Sequence, residues 1–205
     1  MKIHLVRHGE TDWNAEGRLQ GHSPSRLSAK GREEALHLAQ ALPKGFTRWP
    51  VYASDLKRTV ETAHLLHGGL CTHLKTSPLL REISLGHWEG KLRKEVSRSE
   101  PGLFHTFKQK ASRFSIEGGE TFHDVQARGL RFIAQLRQNE CATDILVVSH
   151  RGLIKSVLSY YENRSLDEIW NEPTISNCSV SILEADANGV AMLQYAKVYS
   201  FQDAP

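Results

Sequence analysis

Cysteine is scarce in this chain. There are three in 205 residues, Cys71, Cys141 and Cys178, far apart and with no CxxC spacing. That pattern excludes a disulfide-stapled scaffold and is read most simply as free thiols in a reducing compartment. Long apolar runs are missing too, since no stretch approaches the roughly 18 residues that a membrane span needs. The apolar core of the opening MKIHLVRHGE is too short and too interrupted for a signal peptide. A cytoplasmic protein is therefore expected. Charge of one sign is also lacking. The net charge is +3 and is spread over both halves, whereas a dedicated nucleic-acid binder carries a clustered basic stripe. Neither nucleic acid nor membrane is an expected partner, although a few convergent arginines can still build a local anion site.

A length of 205 residues fits a single domain, 1–205, that needs no disulfide or metal to hold its core. Ile3 to Val6 reads as a strand, with Arg7-His8-Gly9 leaving its end. Ser28 reads as the N-cap of a helix whose apolar stripe runs through Leu36, Ala39 and Leu42 before Pro43 stops it. Val51 to Ala53 is a second strand, and Ser54 or Asp55 is expected to cap a helix reaching about Leu66. A strand is expected over 73–77. Residues 83–120 read as an insertion or cap with two helical pieces around Pro101-Gly102, closed by Gly118-Gly119. A helix carrying Phe122, Val125, Leu130, Ile133 and Leu136 follows. The continuous apolar run 145–148 predicts a strand covered on both faces. A helix over 153–161 and a hairpin around Asn188-Gly189 complete the chain. Strands alternating with helices predict an α/β fold, in which ligands gather beyond the carboxyl ends of the strands. His8 and His150 both follow such ends, so one rim is expected to carry both.

Alone, a histidine after a strand reads as a polar loop residue. The string Arg7-His8-Gly9-Glu10-Thr11 offers more. An imidazole is a good nucleophile when one nitrogen is held as N–H and the other presents a lone pair, and an adjacent arginine can fork onto phosphate oxygens. Three further strings accompany it. Ser54-Asp55-Leu56-Lys57-Arg58-Thr59 puts an arginine in the first turn of a helix, and Ser149-His150-Arg151-Gly152 puts a second histidine at a strand end. Leu80-Arg81-Glu82 brings a carboxyl group just before the glycine-flanked Gly86-His87-Trp88-Glu89-Gly90.

With these blocks in this order, the sequence resembles the histidine phosphatase superfamily, also called phosphoglycerate mutase-like, from Met1 to about Ser181. The resemblance implies a three-layer α/β/α sandwich with a mostly parallel central sheet and a small helical insertion. It implies that His8 is the nucleophile that becomes phosphohistidine. Arg7, Arg58 and His150 match the pocket for the transferring phosphoryl group, with His150 a further candidate cation, and Asn14 adds a donor. Glu82 matches the general acid. Gln20 and Gly21 match a loop beside the substrate, and Gly118-Gly119-Glu120 matches a supporting turn. Arg151 and Gly152 complete the candidate phosphate- and substrate-binding residues.

Phosphoryl transfer asks mainly for positioning and charge stabilisation, so neither metal nor cofactor is expected. Among eleven histidines, the pairs His64/His67 and His4/His8 share faces, but no set offers the three or four convergent ligands of a zinc site. Trp88 reads as loop packing. Phe104, Phe107 and Phe114 read equally as substrate mouth or apolar cluster.

Three functions compete: a phosphatase acting on a small phosphate ester, a mutase returning the phosphoryl group to a sugar acid, and a non-catalytic phospho-ligand module. Intact nucleophile, acid and phosphate positions disfavour the module. The loop after Glu82 resembles the phosphatase branch, and length and loop style resemble alpha-ribazole phosphatases within it. Arg151, where the family often has glycine, predicts preference for a second anionic group on the substrate. The physiological substrate stays open, and the apolar strands near the C-terminus are compatible with core or with a homodimer interface.

Overall fold

The apolar run 145–148 lies where such a run must, inside a sheet. The computed structural model describes residues 1–139, 144–186 and 189–198. Its strands are β1 (Lys2–Arg7), β2 (Val51–Ala53), β3 (Leu74–Thr76), β4 (Ile145–Ser149), β5 (Val180–Ala185) and β6 (Val190–Lys197). They form one sheet in the order β3-β2-β4-β1-β5-β6. The first four are mutually parallel, and β5 and β6 are antiparallel additions. Side chains alternate across a strand, so β4 feeds two cores at once. Ile145 and Val147 pack into one, Leu146 and Val148 into the other. The expected hairpin joins β5 to β6; Gly189 is part of its turn, while Asn188, like Cys141, lies outside the described residues.

Helices cover both faces, giving the three layers. The helices are α1 (Asp12–Glu16), α2 (Ala29–Ala41), α3 (Lys57–Leu66), α4 (Arg93–Ser99), α5 (Pro101–Gln109), α6 (Phe122–Asn139) and α7 (Arg151–Tyr161). Ala35 and Leu38 of α2 and Ala63 and Leu66 of α3 pack on one face. Val125 and Ile133 of α6 and Leu153 and Val157 of α7 pack on the other, together with Val96 and Phe107 from the insertion. Trp88 is fully buried and its Nε1 donates to Glu100 Oε1 at 3.0 Å, so it packs the loop as expected. Phe107 and Phe114 belong to one aromatic cluster with Trp88, Phe122 and Trp170.

Three local expectations are corrected. On α2, Leu36 is 43% exposed, and the buried stripe is Ala35, Leu38 and the flanking Leu42. The 3.6-residue period was right but the phase was one position off. Neither Ser54 nor Asp55 is the N-cap of α3; Leu56 is, without a side-chain cap. Ser54 Oγ instead accepts from Leu56 N–H, and Asp55 is drawn into a two-bond pair with Arg81. Helix α7 begins at Arg151, directly after His150.

The phase of α2 is testable by denaturant unfolding. Leu38→Ala should cost about 2–5 kcal/mol, as for a buried leucine. Leu36→Ala should stay within about 0.5 kcal/mol, as for a surface position.

Candidate active site

Parallel pairing of β1 with β4 sets Arg7 opposite Ser149, so His8 and His150 leave the sheet side by side. Their ring centroids are 5.2 Å apart. His8 is 3% exposed, and its Nδ1 lies 2.7 Å from the Gly9 carbonyl oxygen. A carbonyl can only accept, so Nδ1 carries the proton and Nε2 the lone pair. Asn177 Nδ2 donates to the His8 carbonyl at 2.9 Å and fixes the backbone from the far side. Burial, then the charges of Arg58 and Arg7, push the His8 pKa well below that of a free histidine. The imidazole is therefore neutral at neutral pH, with its lone pair on Nε2.

Arg58, in the first turn of α3, is 1% exposed. It donates to the carbonyls of Gly21 (2.7 Å) and Ser23 (3.2 Å), and its Nε donates to His150 Nδ1 at 3.3 Å. That last bond settles the tautomer of His150. Nδ1 must accept, so Nε2 carries the proton, and this buried donor has no partner among the described residues. The sequence reading allowed a cationic His150. Burial and the neighbouring Arg58 instead push its pKa well below the ordinary value, so it is a neutral donor. Arg7 gives one hydrogen bond to the Ile175 carbonyl at 2.9 Å and keeps a buried Nε unpaired. Burial lowers the pKa of both Arg7 and Arg58 to about 10, which leaves each charged at neutral pH.

Glu82 is held by backbone donors. Oε1 accepts from its neighbour Ile83 N–H at 3.0 Å, and Oε2 accepts from Gly152 N–H at 3.1 Å. A Cβ at Gly152 would stand 2.4 Å from Glu82 Oε1. Gly152 therefore seats the Glu82 carboxylate. His150 is fully buried, with its ring beside that of His8. Arg7, His8, Asn14, Gln20, Gly21, Arg58, Glu82 and Arg151 all line one cavity. Asn14 Oδ1 accepts from Thr11 N–H, which leaves its NH2 available to a ligand.

Sequence reasoning missed the scaffold behind these groups. Glu89 accepts from His22 N–H and Leu85 N–H, each at 3.0 Å, and from Ser23 Oγ at 2.7 Å. Burial acts to raise its pKa, but those hydrogen bonds outweigh it and hold the carboxylate below its usual range. A Cβ at Gly21 (φ +52°) would fall 2.0 Å from Glu89 Oε1, so the Gln20-Gly21 turn depends on glycine. Arg128 forks onto Glu120 and donates to the carbonyls of Leu79 and Glu82, pinning the strand of loop that carries the acid. The glycines flanking Glu89 were the one sequence signal for it. Arg18, Arg93 and Lys108 were missed as well. They bring the cations lining the cavity to six, against one carboxylate, Glu82.

Arg93, Lys108 and Arg151 stand together with Trp170. Lys108 Nζ lies 5.0 Å and the Arg151 guanidinium 5.5 Å from the Trp170 ring centroid. Burial, then the charges of Arg151 and Arg93, lower the Lys108 pKa. Among the described residues no hydrogen-bonded carboxylate neutralises this trio. Phe107 belongs both to the aromatic cluster and to the cavity wall, so the two readings of the phenylalanines meet in it.

Comparison with known proteins gives a consistent picture. The histidine phosphatase superfamily (branch 1) matches residues 3–197. A metal-independent phosphoserine phosphatase of Arabidopsis thaliana is 34% identical over 158 residues, covering 76% of this chain and 66% of that one. An adenosylcobalamin/alpha-ribazole phosphatase of Escherichia coli is 29% identical over 178 residues, 87% of each. The solved structure of Bacillus stearothermophilus YhfR superposes with a TM-score of 0.91 at 33% identity, covering 97% of this chain and 98% of that chain.

The two buried neutral histidines fix a pH dependence of stability. Their folded pKa values lie below the unfolded value, so the unfolded chain binds more protons once pH falls below about 6.5. Stability should therefore be full above that pH and decline beneath it, by up to about 1.4 kcal/mol per pH unit for each histidine. Urea unfolding between pH 7 and 5 should show a shallower slope in His150→Gln than in the unaltered chain. Equal slopes would mean that His150 is protonated in the fold.

Proposed function

The chain belongs to the histidine phosphatase superfamily (branch 1) and is a phosphatase acting on phosphoric monoesters; we propose that it works through a phosphohistidine on His8, with Glu82 as general acid and base and no metal in the chemistry. The observation that carries this reading is the Gly9 carbonyl on His8 Nδ1, which leaves the Nε2 lone pair in a pocket flanked by Arg7 and Arg58.

In the first step the His8 Nε2 lone pair attacks phosphorus as the bond to the ester oxygen breaks. Protonated Glu82 gives its proton to the departing alkoxide. Water then attacks the phosphohistidine and loses a proton to the Glu82 carboxylate, the N–P bond breaks, and its electron pair returns to Nε2. Arg7 and Arg58 bear the charge of the equatorial oxygens. Each full charge pair at about 4 Å is worth roughly 4 kcal/mol gross at an effective dielectric of about 20. The unpartnered His150 Nε2–H and the Asn14 NH2 add directional donors without adding charge.

The substrate reading extends to its other end. Arg7 and Arg58 serve the phosphoryl group, while Arg93, Lys108 and Arg151 form a separate positive wall. Such a wall fits a small ester carrying a second anion, such as a carboxylate. Relatives named for phosphoserine and glucosyl-3-phosphoglycerate act on esters of that kind.

Two measurements test these roles. Alkali-quenched enzyme and labelled substrate should yield an alkali-stable, acid-labile phosphoenzyme, and His8→Ala should lose it together with at least about a thousandfold in turnover; hydrolysis persisting in that variant would reassign the nucleophile. Arg151→Ala and Lys108→Ala should each lower kcat/KM for phosphoglycerate about tenfold relative to an uncharged sugar phosphate. An unchanged ratio removes the second-anion reading and leaves the mechanism at His8 intact.

A further inference from the structure

The sequence showed His64 and His67 on one helix and no third ligand beside them. The fold supplies one from the loop that follows. His67 closes the C-terminal end of α3, the chain reverses through Gly68 (φ +70°) and Gly69, and Cys71 and His73 come back against it. The donor atoms of His67, Cys71 and His73 all lie within 4.8 Å of one another. We propose that these three side chains form a binding site for a borderline-soft divalent transition-metal ion, zinc being the best fit, which clamps the end of α3 to the lead-in of β3.

The geometry of His67 is the strongest support. Its Nδ1 lies 3.1 Å from the Ala63 carbonyl oxygen, so Nδ1 is the donor and Nε2 holds the lone pair. That Nε2 is buried and has no hydrogen-bond partner among the described residues. A ring whose far nitrogen is held by a backbone carbonyl while the near one presents an unused lone pair is the arrangement of a metal-ligating histidine. A buried acceptor left unpaired costs free energy, which a metal would recover. Cys71 is itself anchored, its N–H donating to His64 Nδ1 at 3.1 Å. Its Sγ stands 3.7 Å from His73 Nε2. Tetrahedral zinc with bonds of about 2.0–2.3 Å spaces its ligands by roughly 3.4–3.7 Å. The donor atoms, within 4.8 Å of one another, thus need to close by up to about 1.4 Å. His73 is exposed and able to move, and it would leave a fourth position open to water. Phe46 packs edge-on against His67, with centroids 5.4 Å apart, and gives the site an apolar side.

One thiolate with two imidazoles selects zinc and its neighbours over magnesium or calcium. Binding forms one metal–sulfur and two metal–nitrogen bonds and releases the thiol proton to solvent, with no redox change. The site is structural. About nine residues of α3, roughly 13 Å of helix, separate it from Arg58 at the other end.

The test uses the full chain stripped with a chelator and titrated with cobalt(II), then with zinc. A stoichiometric thiolate-to-cobalt charge-transfer band is expected, displaced by zinc, with zinc raising Tm by a few degrees. Cys71→Ser should abolish the band, and the exposed-site variant His73→Ala should weaken binding at least about tenfold without lowering the Tm of the stripped protein. Phosphatase turnover should be the same in stripped and zinc-loaded enzyme. Absence of the band, or its persistence in Cys71→Ser, overturns the proposal, and neither result bears on the phosphohistidine mechanism.

Discussion

A single hydrogen bond, from His8 Nδ1 to the carbonyl of the next residue, organises the site. It fixes which nitrogen holds the proton, and therefore which can attack. The bond closes over one residue and needs no distant partner, but it requires the chain to turn as it leaves β1. Asn177 holds that turn through the His8 carbonyl, and Ser149 accepts the His8 N–H from the end of β4. Burial, then two guanidinium groups beside the ring, disfavour its protonated form. Burial, positive charge and tautomer all act in one direction, so under the proposed mechanism His8 needs no general base to be ready.

His150 shows the same logic inverted. Arg58 donates to its Nδ1, so the proton moves to Nε2 and the ring becomes a donor. Two histidines 5.2 Å apart, both neutral, thereby present opposite faces of the same chemistry: one a lone pair, the other an N–H. The distinction lies entirely in what touches each Nδ1, a carbonyl oxygen for His8 and a guanidinium for His150.

That distinction explains what sequence could and could not disclose. His8, Arg58 and His150 sit within a few residues of strand ends, and short strings around them carry the pattern. The sheet was legible for the same reason, since runs such as 145–148 have one physical reading. Leu36 was misread because a helix stripe can be rotated by one position when Leu36, Leu38 and Leu42 are all apolar. Protonation of His150 was misjudged because it depends on an arginine 92 positions away. Glu89, Arg128 and Asn177 were invisible because their partners, Gly21, Glu82 and His8, are brought to them only by the fold. Cys71 is a free thiol as read, but the approach of His67 and His73 to it was not legible, because they converge only after the chain reverses at two glycines.

The distribution of charge separates the two ends of the cavity by their origin. Arg7 and Arg58 come from β1 and α3, elements that the sheet itself holds in place. Arg93 and Lys108 come from α4 and α5 of the insertion and meet Arg151 from α7 across Trp170. Like charges packed this closely repel, and the Lys108 pKa is depressed by burial first and by the charges of Arg151 and Arg93 second. Stability alone gives no reason to gather them there. Phe107 and Trp170 pack with ring centroids 5.1 Å apart, and Lys108 and Arg151 lie over the Trp170 ring. On the proposed reading, an anion entering the cavity meets donors already in place and relieves their mutual repulsion, so the insertion sets what is bound and leaves the chemistry at His8 unaltered.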